Sequence, residues 1–276
     1  MLAMPASLDQ MVIAARRRVA ETKRTSGLRE LERQAQAHTP RGFRHSLEAR
    51  SRTGVAIIAE LKKASPSRGL IRPDFDVPGL ARELESAGAA ALSVLTDEEF
   101  FQGSLENLRR ASAATQLPCL RKDFILDPFQ LLEARAHRAD AILLIVAALS
   151  QQELTSLALG AGQHGLDVLC EAHDEAELQR AVDAGCDLIG VNSRDLRTFQ
   201  VDLETAFRLA ELMPKDVLPA AESGIQSGAD VIRLRAAGYR AFLIGESLMK
   251  AQSPGEALRR LLAEAEREHS VGSGRN

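Results

Sequence analysis

Eight apolar runs recur along this chain, and their spacing leaves few folds open. They are VAIIAEL from Val55, AALSVLT from Ala90, PCLRKDF from Pro118, AILLIVA from Ala141, DVLCEA from Asp167, LIGVNS from Leu188, LPAAES from Leu218 and AFLIGE from Ala241. Successive starts lie roughly 20 to 35 residues apart, the length of one strand, one helix and two loops. Several runs are apolar throughout instead of alternating, which suits parallel strands covered on both faces.

Helical patterns with start signals fill the gaps: Asp127-Pro128 with Gln130, Ser150 with Glu153, Asp174 with Glu177, and Ser253-Pro254 with Glu256. A short polar side chain there accepts from the first free N–H groups, and an acid or amide three residues on reaches back. Ala87-Gly88, Ala184-Gly185 and Ala237-Gly238 each precede a strand, with glycine taking the left-handed conformation that ends a helix. The repeated βα unit, eight times in about 220 residues, predicts an α/β fold, a (β/α)8 TIM barrel. The alternative, a doubly wound open sheet, calls for a GxGxxG after the first strand, and the chain has none. The 276 residues read as a single domain. Residues 1–50 form an N-terminal helical extension, with LDQMVIAARRRVAETKR and LRELERQAQ as Arg-rich amphipathic helices whose charges are solvated. Residues 51–270 form the barrel, and VGSGRN at 271–276 a frayed tail.

Composition removes several function classes. A net charge of -3 gives no general basic surface for nucleic acid. No apolar run approaches the roughly 20 residues that span a bilayer. The N-terminal MLAMPASLDQMVIAARRRVAE lacks the apolar core and cleavage site of a signal peptide, so a cytoplasmic location is expected. Cys119, Cys170 and Cys186 form no CxxC pair and lie in or beside apolar segments, which reads as buried free thiols. The six histidines show no metal spacing; His173, two residues after Glu171, comes closest.

In a parallel barrel the chemistry gathers at the C-terminal ends of the strands. The first run carries Glu60 and Lys62, which face the same way on a strand and are costly to bury unless paired. It breaks at Ser65-Pro66-Ser67-Arg68-Gly69. The third supplies Lys122, with Arg121 and Asp123 facing elsewhere. The fifth supplies Glu171, and the sixth ends in Asn192-Ser193-Arg194. The seventh ends in Glu222-Ser223-Gly224, and the eighth in Gly245-Glu246-Ser247. Any one of these reads equally well as a structural salt bridge. Several strand ends converging with so many charges would be destabilising without a function. A lysine desolvated at a strand end has its ammonium form disfavoured and acts as acid or base near neutral pH. Ser223-Gly224 and Gly245-Glu246 sit where loop N–H groups bind phosphate, although a glycine at a strand end is also simply a turn.

The segments AELKKASPSRG, LTDEEFFQGS, LRKDFI, LCEAHD, GVNSRDL, AESGI and LIGESLM resemble those of the indole-3-glycerol phosphate synthase family, in the family's order over residues 55 to 250. The N-terminal segment resembles the family's helical extension by position. The resemblance implies conversion of 1-(o-carboxyphenylamino)-1-deoxyribulose 5-phosphate to indole-3-glycerol phosphate in tryptophan biosynthesis. Carbon dioxide and water leave, and no cofactor or metal takes part. It implies Lys122 as general acid, Glu171 as general base and Glu60 as its supporting carboxylate. Lys62 binds the substrate carboxylate or moves a proton in dehydration; both readings stay open. Asn192 and Arg194 contact substrate and order the network. Ser65, Ser223, Gly224 and Gly245 match phosphate-binding positions, and Phe101 and Phe124 match aromatics beside the anthranilate ring. Glu246 stands where some members have serine or threonine. If its N–H binds phosphate, its side chain must turn away, and its role is open.

Two rivals differ in residues or chemistry. An isomerase of an aminated ribulose phosphate needs a Cys or Asp base where this chain has Glu60 and Lys62, and a Schiff-base aldolase would be trapped by borohydride. A catalytically dead scaffold would have lost a matched residue, and none is lost. Lys62, Lys122 and Arg194 are expected to balance Glu60, Glu171 and Glu222, so no divalent cation is expected among them. The expected partner is a small phosphorylated substrate; association with neighbouring tryptophan-pathway enzymes stays open.

Overall fold

In the computed structural model, which describes residues 7–195 and 199–272, each apolar run becomes one strand. These are β1 (Ala56–Leu61), β2 (Ala91–Leu95), β3 (Cys119–Lys122), β4 (Ala141–Ile145), β5 (Asp167–Ala172), β6 (Leu188–Asn192), β7 (Leu218–Glu222) and β8 (Ala241–Ile244). All pair in parallel, and β8 and β2 flank β1, so the sheet closes into a (β/α)8 barrel with no free edge. β1, β2, β4, β6, β7 and β8 are buried along their whole length, which is why those runs do not alternate.

The helix signals hold with two rearrangements. Ser150 and Glu153 form a full capping box before the helix Gln151–Gln163. Asp127 accepts from the Phe129 N–H at 2.8 Å, and Gln130 accepts from the Asp127 N–H at 3.2 Å. Asp174 accepts from the Glu177 N–H, but the Glu177 carboxylate takes the N–H of His173, one residue earlier than a capping box predicts. Ser253 accepts from the Glu256 N–H at 3.4 Å, while no reciprocal bond from Glu256 is formed and Glu83 accepts instead from the Ser253 hydroxyl at 2.6 Å and the Gly255 N–H at 2.7 Å. Gly88, Gly185 and Gly238 all have positive φ.

Three helices precede the barrel: α1 (Leu8–Thr25), α2 (Leu28–Gln36) and α3 (Phe43–Thr53). The third was not anticipated. Its sequence FRHSLEARSRT buries only Phe43 and Leu47, too few apolar positions for a periodic signal. Between α2 and α3, Arg41 grips the buried Asp140 at the N-terminal end of β4 and donates to the carbonyls of Ser112 and Thr115. His38 bonds the same carboxylate at 3.0 Å. α1 lies at the opposite end, where Arg18 joins Asp97 after β2 to Asp123 after β3 at 2.8 and 3.0 Å. The extension therefore clasps the barrel from its mouth to its floor. Of the expected tail, residues 273–276 lie outside the described residues, as does Leu196 of the NSRDL segment. Among the described residues no helix is long and apolar enough to cross a membrane.

Candidate active site

The strands lift their polar ends to one level. Register sets Glu60 beside Ser93, Lys122 beside Leu95, Glu171 beside Ile145, and Asn192 beside Glu222. Above them opens a cavity of about 540 Å³, lined by every site residue named from the sequence. Leu8 and Met11 of α1 line it too, so the extension forms part of the wall. Nothing in the sequence signalled that contact, which exists only once α1 docks on the barrel.

The centre of the site is a charge lattice. The Lys122 ammonium donates to Glu171 at 3.0 Å and to Glu222 at 2.7 Å. Lys62 pairs with Glu60 at 2.7 Å, and Ser93 donates to Glu60 at 3.4 Å. Two glycines make room for these carboxylates. A Cβ on Gly190 would lie 2.1 Å from Glu222 Oε1, and one on Gly245 would lie 2.5 Å from Glu60 Oε1.

This lattice sets the protonation states. Burial works to lower the Lys122 pKa, but Glu171, Glu222 and Glu60 outweigh it and the ammonium is held far above its usual range. The expectation that desolvation would disfavour the ammonium is thus overturned, because the lysine is buried among carboxylates and not in apolar surroundings. Burial raises Glu171, yet Lys122 and His173 draw it well below the carboxylate range. Glu60 is also lowered, by Lys62 and Lys122 against burial. Glu222 goes the other way. Burial and the neighbouring Glu171 overcome Lys122 and push it up to about 7. Its Oε1 is buried with no hydrogen-bond partner. Two carboxylates on one ammonium thereby acquire different proton affinities.

Arg194 does not join the balance expected of it. It pairs with Glu246 at 3.4 Å and donates to the Phe199 carbonyl at 3.1 Å. The further cation beside the carboxylates is His173, whose Nε2 lies 3.4 Å from Glu171 Oε1. Glu246 gathers Arg68 at 3.0 Å and Lys250 at 2.6 Å in addition to Arg194, so its side chain is committed to cations. Asn192 accepts from the Arg194 N–H at 3.0 Å. Ser223 and Gly224 both have left-handed backbone, φ 60 and 79, which turns the chain sharply out of β7. Ser65 lies on a short hairpin, Ala64–Ser65 with Gly69–Leu70, and its buried Oγ has no hydrogen-bond partner. Arg121 is turned outward to Asp123 and Glu133, as expected. All three cysteines are free and buried. Among the described residues no cluster of His, Cys, Asp or Glu is arranged to hold a metal. The sequence marked Glu222 only as a carboxylate to be balanced and His173 only as nearest to metal spacing, and gave neither a catalytic role; the signals were their positions, at the end of β7 and two residues past Glu171.

Comparison with known proteins narrows the chemistry. The family model described as indole-3-glycerol phosphate synthase matches residues 8–261. A protein of that name from Koribacter versatilis is 60% identical over 259 residues, covering 94% of this chain and 100% of that relative. Another from Burkholderia vietnamiensis is 47% identical, covering 92% and 98%. Among solved structures, a 3-hexulose-6-phosphate synthase superposes with a TM-score of 0.62 at 13% identity, over 76% of this chain and 99% of that one. A thiamine phosphate pyrophosphorylase from Pyrococcus furiosus gives 0.59 at 16%, over 79% and 98%. At such identities the structural likeness speaks for the barrel alone.

Proposed function

Since the chain belongs to the indole-3-glycerol phosphate synthase family, a carboxy-lyase of tryptophan biosynthesis, we propose that Lys122 and Glu171 are the acid and base of its ring closure. The carrying observation is the Lys122 ammonium set 3.0 Å from Glu171 and 2.7 Å from Glu222. A lysine kept protonated beside a carboxylate kept ionised has the proton that an acid needs and the free oxygen that a base needs.

The aromatic carbon bearing the carboxylate attacks the ribulose ketone, and Lys122 protonates the oxygen as its negative charge develops. The bond to the carboxylate then breaks. Carbon dioxide leaves, and the electron pair restores the aromatic ring. The new hydroxyl departs as water with a second proton, given by the Lys62 ammonium, and Glu171 takes a proton from the adjacent carbon of the five-membered ring. Lys62, held by Glu60, faces the substrate carboxylate. Asn192 orders Arg194, which together with Phe101 and Phe124 walls the ring side of the cavity. The phosphate is received at Ser65, Ser223, Gly224 and the backbone of Gly245 and Glu246, while Arg194, Arg68 and Lys250 surround the Glu246 carboxylate. The substrate is a small phosphorylated molecule, and a cavity of about 540 Å³ is of a size to enclose one.

The test is direct. Purified protein with the carboxyphenylamino substrate should develop indole fluorescence. Lys122→Met and Glu171→Gln should each abolish most of it while retaining the wild-type circular dichroism spectrum. Full activity in either variant removes that residue from the mechanism.

A further inference from the structure

Glu171 has two oxygens, and they face two different cations. Oε2 accepts from Lys122 at 3.0 Å. Oε1 lies 3.4 Å from His173 Nε2, an ion-pair distance that no hydrogen bond closes. The imidazole is itself held from behind. Its Nδ1 is 2.9 Å from Glu177 Oε2, and the same carboxylate oxygen accepts the His173 backbone N–H at 2.8 Å. Glu177 stands in the first turn of the helix Glu175–Asp183, whose start is fixed by the Asp174 cap. His173 does not line the cavity, whereas Glu171 and Lys122 do. The arrangement is thus a line from the cavity outward: Lys122, Glu171, His173, Glu177.

The other charges nearby are accounted for. Glu222 and Glu60 interact with Glu171 from inside the barrel, across Lys122. Arg180, on the same helix as Glu177, is turned to the carbonyls of Val146 and Leu149. His173 is therefore the second cation on Glu171, and two carboxylates push its pKa up to about 10 against the effect of burial.

The need for a second cation arises during turnover. When Lys122 gives its proton to the ketone, Glu171 and Glu222 lose their shared positive partner. A buried carboxylate left beside another carboxylate gains proton affinity, and once it has taken up a proton from elsewhere it can no longer accept the substrate's. Among the described residues Glu222 pairs with Lys122 and with no second cation. Resting on the assignment of Glu171 as the general base, we propose that His173, clamped by Glu177, is a positioning residue that aims Glu171 and keeps it ionised while Lys122 is deprotonated.

The experiment compares pH profiles of kcat and KM for wild type, His173→Gln and Glu177→Gln. Gln at 173 fills similar space without a positive charge. The acid limb of kcat should move up by about 1–3 pH units in His173→Gln, the range for removing an opposite charge at this distance. KM should stay within about twofold, since His173 does not reach the cavity. Glu177→Gln should move the limb the same way by less, and it carries the test if His173→Gln does not fold. An unmoved limb, or a loss carried by KM, overturns the proposal. Glu171→Gln, assayed alongside, separates the two readings: if it is active, the general-base assignment fails; if it is inactive while His173→Gln keeps the wild-type profile, only the role of His173 fails.

Discussion

Glu222 Oε2 accepts a hydrogen bond from the Lys122 ammonium at 2.7 Å, and its other oxygen is buried without a partner. The pair is therefore lopsided: the lysine is over-supplied with carboxylates, while this carboxylate is under-supplied with donors. A lysine so placed stays protonated until substrate arrives. Lys122→Met should lower kcat by at least ~10², because a positioned general acid typically supplies 10²–10⁴-fold. The change also strands two buried carboxylates, and breaking a buried ion pair costs about 3–5 kcal/mol, so a melting curve must accompany the assay. A folded variant with near-wild-type kcat would exclude the assignment.

Glu222 titrates near neutrality, at about 7, because burial raises it more than Lys122 lowers it. Above that pH it carries a negative charge into a site that must accept a phosphate and a carboxylate. Wild-type KM should rise as pH increases from about 7 to about 8.5, a range in which a phosphate monoester is already largely dianionic. Glu222→Gln is neutral at every pH and should keep KM level over that interval. A variant whose KM follows the wild-type curve would show that another group controls binding.

Most of the barrel was legible because its strands are buried on both faces, so each run announces itself without alternation. All eight strands fall within one or two residues of their runs. The mouth was legible for the same reason: Glu60, Lys122, Glu171 and Glu222 interrupt or end sequences that are otherwise apolar. What was not legible depends on tertiary pairing. Lysine 122 was expected to lose proton affinity, and its carboxylate neighbours come from β5 and β7, 49 and 100 residues away in sequence. Arg194 was expected among the carboxylates, but Glu246 lies closer to hand after β8. Leu8 and Met11 enter the cavity wall because α1 docks on the mouth, burying Met11, Ala14, Ala15 and Val19 and joining Arg18 to Asp97 and Asp123.

The loop after β7 offers a test of phosphate binding. Gly224 has φ 79, and a Cβ there would lie 2.7 Å from Val201 Cγ1 and 3.0 Å from Leu203 Cδ2. Gly224→Ala should therefore shift the loop by strain and contact together, without reaching Lys122 or Glu171. KM should rise roughly tenfold or more while kcat falls by less than about threefold, the pattern of lost uniform binding. A fall in kcat with KM unchanged would move the phosphate away from this loop.

Activity should survive exhaustive chelation. The space between Glu171 and Glu222 is spanned by the Lys122 ammonium, and Glu60 is paired with Lys62. A divalent cation would have to displace an ammonium from the carboxylates it would use, against repulsion at a few ångströms. Turnover should be equal with and without EDTA. Loss in chelator that magnesium or zinc restores would refute the metal-free reading.

Stability should fall as the solution becomes alkaline, and the sign follows from two groups. His173 is raised from 6.5 to about 10 in the folded protein. Its contribution is complete below about 6.5 and is lost as pH rises through about 10. Glu222 is raised from 4.5 to about 7, so the folded state holds a proton that the unfolded state has released, and stability again declines as pH climbs through that interval. Glu60 and Glu171 are lowered from 4.5 and act in the opposite sense, with stability present above that value and lost as acid protonates them. The four together place the maximum in mildly acidic solution, near pH 5. Urea midpoints at pH 5, 7 and 9 should decrease in that order, and His173→Gln should flatten the step from 7 to 9. A wild-type midpoint that is constant or rises over this range would mean that His173 is not held as an imidazolium by Glu171 and Glu177.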